Sequence, residues 1–128
     1  MLNIKLGGVF VEDQANAHDF YTKNLGLKVK NDIPVGEYRW LSVGTDDNEF
    51  ELVLEPNVNP AAKTYQKAIY EQGIPATMLF TDDIEKEYHS LIEKGVKFKS
   101  EPTVMGNVTI AVFDDTCGNY IQICQEHS

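Results

Sequence analysis

Residues 9–29, VFVEDQANAHDFYTKNLGLKV, decide how the chain is read. Val9, Phe10 and Val11 alternate as a strand with two differently packed faces does. Asp13 stands where a helix N-cap is wanted, its carboxylate available to the free amides of the first turn. Ala17, Phe20, Tyr21 and Leu25 then form one apolar stripe at helical spacing. Gly26 is placed to end the helix with a positive φ, and Leu27, Lys28 and Val29 restart a two-residue period. The order is strand, helix, strand.

The same plan returns later. Thr81, Asp82 and Asp83 lead into IEKEYHSLIEK, where Ile84, Tyr88, Leu91 and Ile92 make the stripe and Gly95 the stop, before Val96 and Phe98 open another strand. Asp13 and Gly26 are thirteen residues apart, as are Asp82 and Gly95, an offset of 82 − 13 = 69. Repetition of cap, stripe, stop and strand predicts an internal duplication.

Working outward, the pattern predicts strands over 3–11, 27–33, 37–43 and 49–55 around a helix over 13–25. Pro34, Val35 and Gly36 read as a turn. Adjacent Gly7 and Gly8 inside a strand predict a bulge or the close approach of another group. After a turn-rich link at 56–60, Pro60 opens a helix over about 60–72 that stops at Gly73. The second unit predicts strands at 74–81, 96–99, 108–113 and 119–125, a helix at 83–94 and a tight turn at 114–118. The expected fold is therefore α+β: a single domain over 1–128 made of two tandem β-α-β-β-β modules, about 1–56 and 74–125. Helices cover one side of the sheets and leave a hollow on the other.

Length and charge bound the function. A chain of 128 residues buries about two-thirds of its unfolded surface and holds one core of ordinary size. Eleven basic against twenty acidic residues give a net charge of −9, which repels phosphate backbones and anionic lipid and leaves cationic partners open. Neither nucleic acid nor membrane is an expected partner. No apolar run approaches the ~20 residues of a membrane span, and MLNIKLGG lacks the pattern of a signal peptide. Cys117 and Cys124, with no CxxC motif, predict free thiols in a cytoplasmic protein.

Four segments carry a family resemblance: VFVEDQANAHDFYTKNLGLKV, FELVLEP, GIPATMLFTDDIEKEYHSLIEKGVKF and AVFDDTCGNYIQI. In this order, across nearly the whole chain, they resemble the vicinal oxygen chelate superfamily of glyoxalase I, extradiol dioxygenases and bleomycin-resistance proteins. The resemblance implies that each module curls into a partial cup, with the cavity often completed across a homodimer. It also implies a divalent metal held by one His or Glu from each of four strands, acting as a Lewis acid on a chelated substrate.

Transferred onto this chain, the four metal positions fall on Leu6, Glu51, Ala76 (or Pro75) and Gln122. Leu and Ala offer no donor and Gln is a poor one, so no divalent metal cofactor is expected. His18 and His89 lie on the two helices and His127 near the chain end, which does not restore a ligand set. Strand alternation predicts the lining instead. The first strand supplies Leu6, Gly8 and Phe10, and the fourth Glu49, Glu51 and Val53. The second module supplies Ala76, Met78, Phe80, Tyr120, Gln122 and Cys124. Trp40 or Arg39 joins them according to register. The alternative is that these side chains simply pack as core.

The expected function is a metal-independent small-molecule binder that sequesters a cationic or planar ligand. The alternative is a glyoxalase-like lyase, isomerase or dioxygenase that uses Glu51 with a cation. Glu51 is the candidate catalytic or charge-bearing group, expected to take a partner or a raised pKa if buried; a rim carboxylate paired with Arg39 or a lysine is the plainer reading. Cys117 reads as a possible exposed thiol whose neighbouring aspartates disfavour a thiolate.

Overall fold

A computed structural model describes residues 1–127. Its elements run β1 (Leu6–Val11), α1 (Gln14–Asp19), β2 (Lys28–Val35), β3 (Tyr38–Gly44), β4 (Glu51–Pro56), α2 (Pro60–Glu71), β5 (Thr77–Phe80), α3 (Ile84–Glu93), β6 (Phe98–Met105), β7 (Val108–Asp114) and β8 (Tyr120–Glu126). Two four-stranded mixed sheets have the same plan, β1-β4-β3-β2 and β5-β8-β7-β6, each with its first and last strands parallel and the rest antiparallel. The fold is α+β. The chain divides into two compact units, 1–64 and 65–128, and the division falls inside α2.

In the first unit α1 lies on β3 and β4. Val9, Val11, Leu41, Val43 and Leu54 point to the helix side and are buried with Ala17, Phe20 and Tyr21. Asp13 caps α1 as the sequence predicts, accepting from the Asn16 amide at 3.1 Å. In the second unit Asp83 caps α3 through the Lys86 amide at 3.1 Å. There Ile84 and Leu91 are buried with Ala111, Phe113, Ile121 and Ile123, and Tyr88 sets its ring edge against Phe98 at 4.7 Å.

The repeat step differs from the one read in the sequence. The two caps are Asp13 and Asp83, so the offset is 83 − 13 = 70, and the hairpin glycines with positive φ, Gly36 and Gly106, keep it. Only the helix stops, Gly26 and Gly95, are 69 apart. The first helix accommodates its extra residue in a π-helical turn, Phe20–Asn24, where the Leu25 amide reaches back five residues to the Phe20 carbonyl at 3.2 Å. Single π turns inside helices are the usual way such an insertion is absorbed.

Strand limits also shift. The first strand begins at Leu6, not residue 3, and β6 runs to Met105 instead of stopping at 99. Pro34 and Pro102 lie inside β2 and β6, where a turn and a loop are expected from the sequence. Both are edge strands, and an edge tolerates the missing N–H.

Candidate ligand-binding face

Each sheet turns one face away from its helix. On the first unit this face is defined by register: Leu6 is opposite Glu51, Gly8 opposite Val53 and Phe10 opposite Glu55, with Ser42 opposite both Val53 and Asn31, and Trp40 opposite Ile33. Strand alternation thus places Leu6, Phe10, Trp40 and Glu51 on one side of the sheet. Leu6, Ile33 and Trp40 are each 40% or more exposed. Arg39 points to the other side and pairs with Asp32 at 3.3 Å.

Glu51 is held from within this face. Its Oε1 accepts from the Ser42 hydroxyl at 2.5 Å and from the Asn31 amide at 2.7 Å. These two donors, the Ser42 hydroxyl first, hold the carboxyl below its ordinary range, and Lys30 adds a weaker pull in the same direction. The direction is opposite to that expected of an unpartnered buried carboxylate, because hydrogen bonds to the charged form outweigh desolvation. Among the described residues no lysine or arginine lies within ion-pair reach of Glu51 or Glu55. Glu49 precedes β4, is strongly exposed and pairs with Lys5 at 3.4 Å.

The two strand glycines are explained by close approach. A Cβ on Gly7 would meet the Phe50 ring at 3.4 Å, and one on Gly8 would overlap the Glu55 carboxylate. Gly8 therefore leaves room for a second carboxylate above the sheet.

The second unit's face is built differently. Met78 is opposite Gln122 and Phe80 opposite Cys124, with Val112 and Ile110 next across β7. The Gln122 amide donates to the Met78 sulfur at 3.1 Å. Met78 and Phe80 are exposed while Cys124 is buried. Ala76 is joined to Tyr120, whose carbonyl accepts the Ala76 amide at 2.8 Å. Tyr120 stacks flat on Tyr70 of α2 at 4.4 Å, and the Lys99 ammonium lies 5.1 Å from its ring centre. Its ring is engaged within the unit. Tyr70 in turn donates to Asp114 at 2.6 Å, and that bond, with burial, raises its pKa.

Of the four positions expected to hold a metal, only Glu51 carries a good donor. Leu6 and Glu51 are direct register partners, but Gln122 faces Met78, not Ala76. Among the described residues no three His, Cys, Asp or Glu side chains converge. Leu6 and Ala76 bring no donor atom, so the set does not fit a divalent ion. His18 bonds Asp19 at 3.0 Å, His89 is exposed beside Glu85, and His127 bonds Thr109 at 2.6 Å.

Cys117 corrects the expectation of an exposed thiol: it is fully buried. The turn that buries it is organised by Asp115, whose carboxylate accepts from the Cys117 and Asn119 amides and from the Asn119 side chain, at 2.7, 3.0 and 2.9 Å. Gln66 of α2 closes the cluster on the Cys117 carbonyl and the Asn119 side chain, both at 3.1 Å.

A family model, Glyoxalase/Bleomycin resistance protein/Dioxygenase superfamily, matches this chain over residues 4–123. The chain belongs to this superfamily. It is 54% identical to the Bacillus subtilis (strain 168) protein YurT over 127 residues, covering 98% of this chain and 100% of that one. Among solved structures, UcmS2 matches with a TM-score of 0.84 at 32% identity, covering 97% of this chain and 98% of that one. TnmS3, an antibiotic binding protein from Streptomyces sp. CB03234, matches with a TM-score of 0.76 at 27% identity, covering 98% and 97%. No helix among the described residues is long and apolar enough to cross a membrane.

Proposed function

We propose that this chain is a metal-independent small-molecule binder that sequesters a cationic or planar ligand on the face carrying Glu51, Trp40 and Phe10. The observation that carries the reading is Glu51 itself: ionised, fixed by two neutral donors and with no lysine or arginine among the described residues at ion-pair distance. A carboxylate so stabilised is a weak base near neutral pH, which favours charge recognition over proton abstraction. Trp40, on the same face two residues along β3 from Ser42, offers a ring for a planar body. The likeness to an antibiotic binding protein supports a ligand of drug-like size.

The same reading has the chain act as a homodimer in the cytoplasm. Free thiols suit a reducing compartment, and exposed Val35, Val104 and Met105 give a second copy apolar surface to cover. Sedimentation showing only monomer at high micromolar concentration would remove the dimer.

The test compares a protonated aminoacridine with a neutral anthraquinone, by calorimetry, on wild type and Glu51→Gln. The cationic probe is expected to lose about tenfold to hundredfold in affinity, the worth of one charge-assisted hydrogen bond in a partly desolvated site. The neutral probe loses much less. Equal losses would mean that the carboxylate only shapes the face. One tightly held divalent ion per purified chain would overturn the metal-free half of the proposal.

A further inference from the structure

The hydrogen bonds of Glu51 are one-sided. Ser42 and Asn31 both donate to Oε1, at 2.5 and 2.7 Å, and neither reaches Oε2. A carboxylate oxygen has two lone-pair directions, so Oε1 is fully engaged and Oε2 is the oxygen left for a ligand. Planar cations such as guanidinium and amidinium gain their advantage by engaging both oxygens of a carboxylate through two parallel N–H bonds. Here that fork is blocked. An ammonium group needs a single oxygen and meets no such conflict.

We infer that the ligand recognised at Glu51 carries a protonated amine, and that Ser42 and Asn31 are positioning residues that set this choice over amidine or guanidine ligands. The inference rests on the sequestration reading and narrows it to a chemical class. Ser42 is wholly buried on the strand beside β4 and Asn31 comes from β2, so both donors are carried by the sheet and not by a loop. Each is neutral. They orient the carboxylate without cancelling its charge, leaving it free to attract a cation.

The experiment uses two probes of equal charge and similar size, naphthalen-1-ylmethylamine and naphthalene-1-carboxamidine. Wild-type protein is expected to bind the amine about tenfold more tightly than the amidine, because the amidine's second N–H group is desolvated against an oxygen that can no longer accept it. In Ser42→Ala/Asn31→Ala, Oε1 is released, and the preference should vanish or invert through a gain by the amidine. Asn31→Ala alone, which leaves the buried Ser42 in place, should narrow the gap part-way and covers the case in which the double variant fails to fold. An amidine that binds wild type as tightly as the amine, while Glu51→Gln still weakens both, overturns this inference and leaves sequestration standing. A preference that survives the double variant also overturns it. Binding of neither probe overturns both readings.

Discussion

The helix-covered sides of the two units are apolar and buried in both, whereas their other faces differ in chemical character. At an offset of 70, Tyr21 and Leu91 are both buried helix residues, and Leu41 and Val43 correspond to buried Ala111 and Phe113. On the opposite faces Gly8 corresponds to Met78, Trp40 to Ile110 and Ser42 to Val112. Gly8 faces Val53 and Met78 faces Gln122, so β4 and β8 are 69 apart and Glu51 corresponds to Tyr120. One unit thus carries two carboxylates and hydrogen-bond donors, the other thioether, amide and aromatic groups. Packing limits change on the buried side, since each core residue must match its neighbours in volume. The other side, where Trp40 and Met78 are exposed, is less tightly limited and freer to specialise.

The equivalence of the buried sides is tested most severely by truncation. Tyr21→Ala is expected to cost about 3–5 kcal/mol and Leu91→Ala about 2–5 kcal/mol, read from urea unfolding curves. A cost below about 1 kcal/mol at either site would break the comparison, because it would mean that one helix is not anchored through its equivalent residue. The divergence of the uncovered faces is sharpened by acid. Glu51 has an unfolded pKa near 4.5 and a lower folded one, so its contribution to stability is complete above pH 4.5 and is lost as the pH falls below that through the folded value. The expected effect is smaller than either truncation. Unfolding of wild type and Glu51→Gln, compared between about pH 3 and 6, should show the variant with the flatter acid limb; parallel limbs would place Glu51 outside the hydrogen bonds described.

Much of this arrangement was legible in the amino acids. Asp13, Gly26 and Gly95 announced helix ends because caps and positive-φ stops depend on a few local atoms, whereas Asp82 was matched to the cap that Asp83 makes. Leu6 and Phe10 fell on one face because alternation along a strand is a property of the backbone, whereas the choice of Trp40 over Arg39 needed the register of β3. The seventy-residue step was obscured by a π turn, whose extra residue moves a stop without moving a cap. Pro34 and Pro102 masked strand ends, since sequence alone does not say which strands are edges. Gln14 was missed altogether: its amide bridges the Arg39 and Leu54 carbonyls at 2.7 and 2.9 Å, a bond between segments twenty-five and forty residues away that leaves no local signal.

The sequence by itself determined the duplicated β-α-β-β-β plan, the superfamily resemblance and the absence of donor atoms at Leu6 and Ala76, because these are carried by residue type, order and spacing. Tertiary structure decided what Glu51 is. Its neighbours Ser42 and Asn31 come from two other strands, and only the register of β2, β3 and β4 brings both donors to one oxygen. Tyr120 was decided in the same way, since its stacking on Tyr70 and its contact with Lys99 join α2, β6 and β8. Hydrogen bonds and ring contacts act over a few ångströms of space, and distance along the chain carries no record of them.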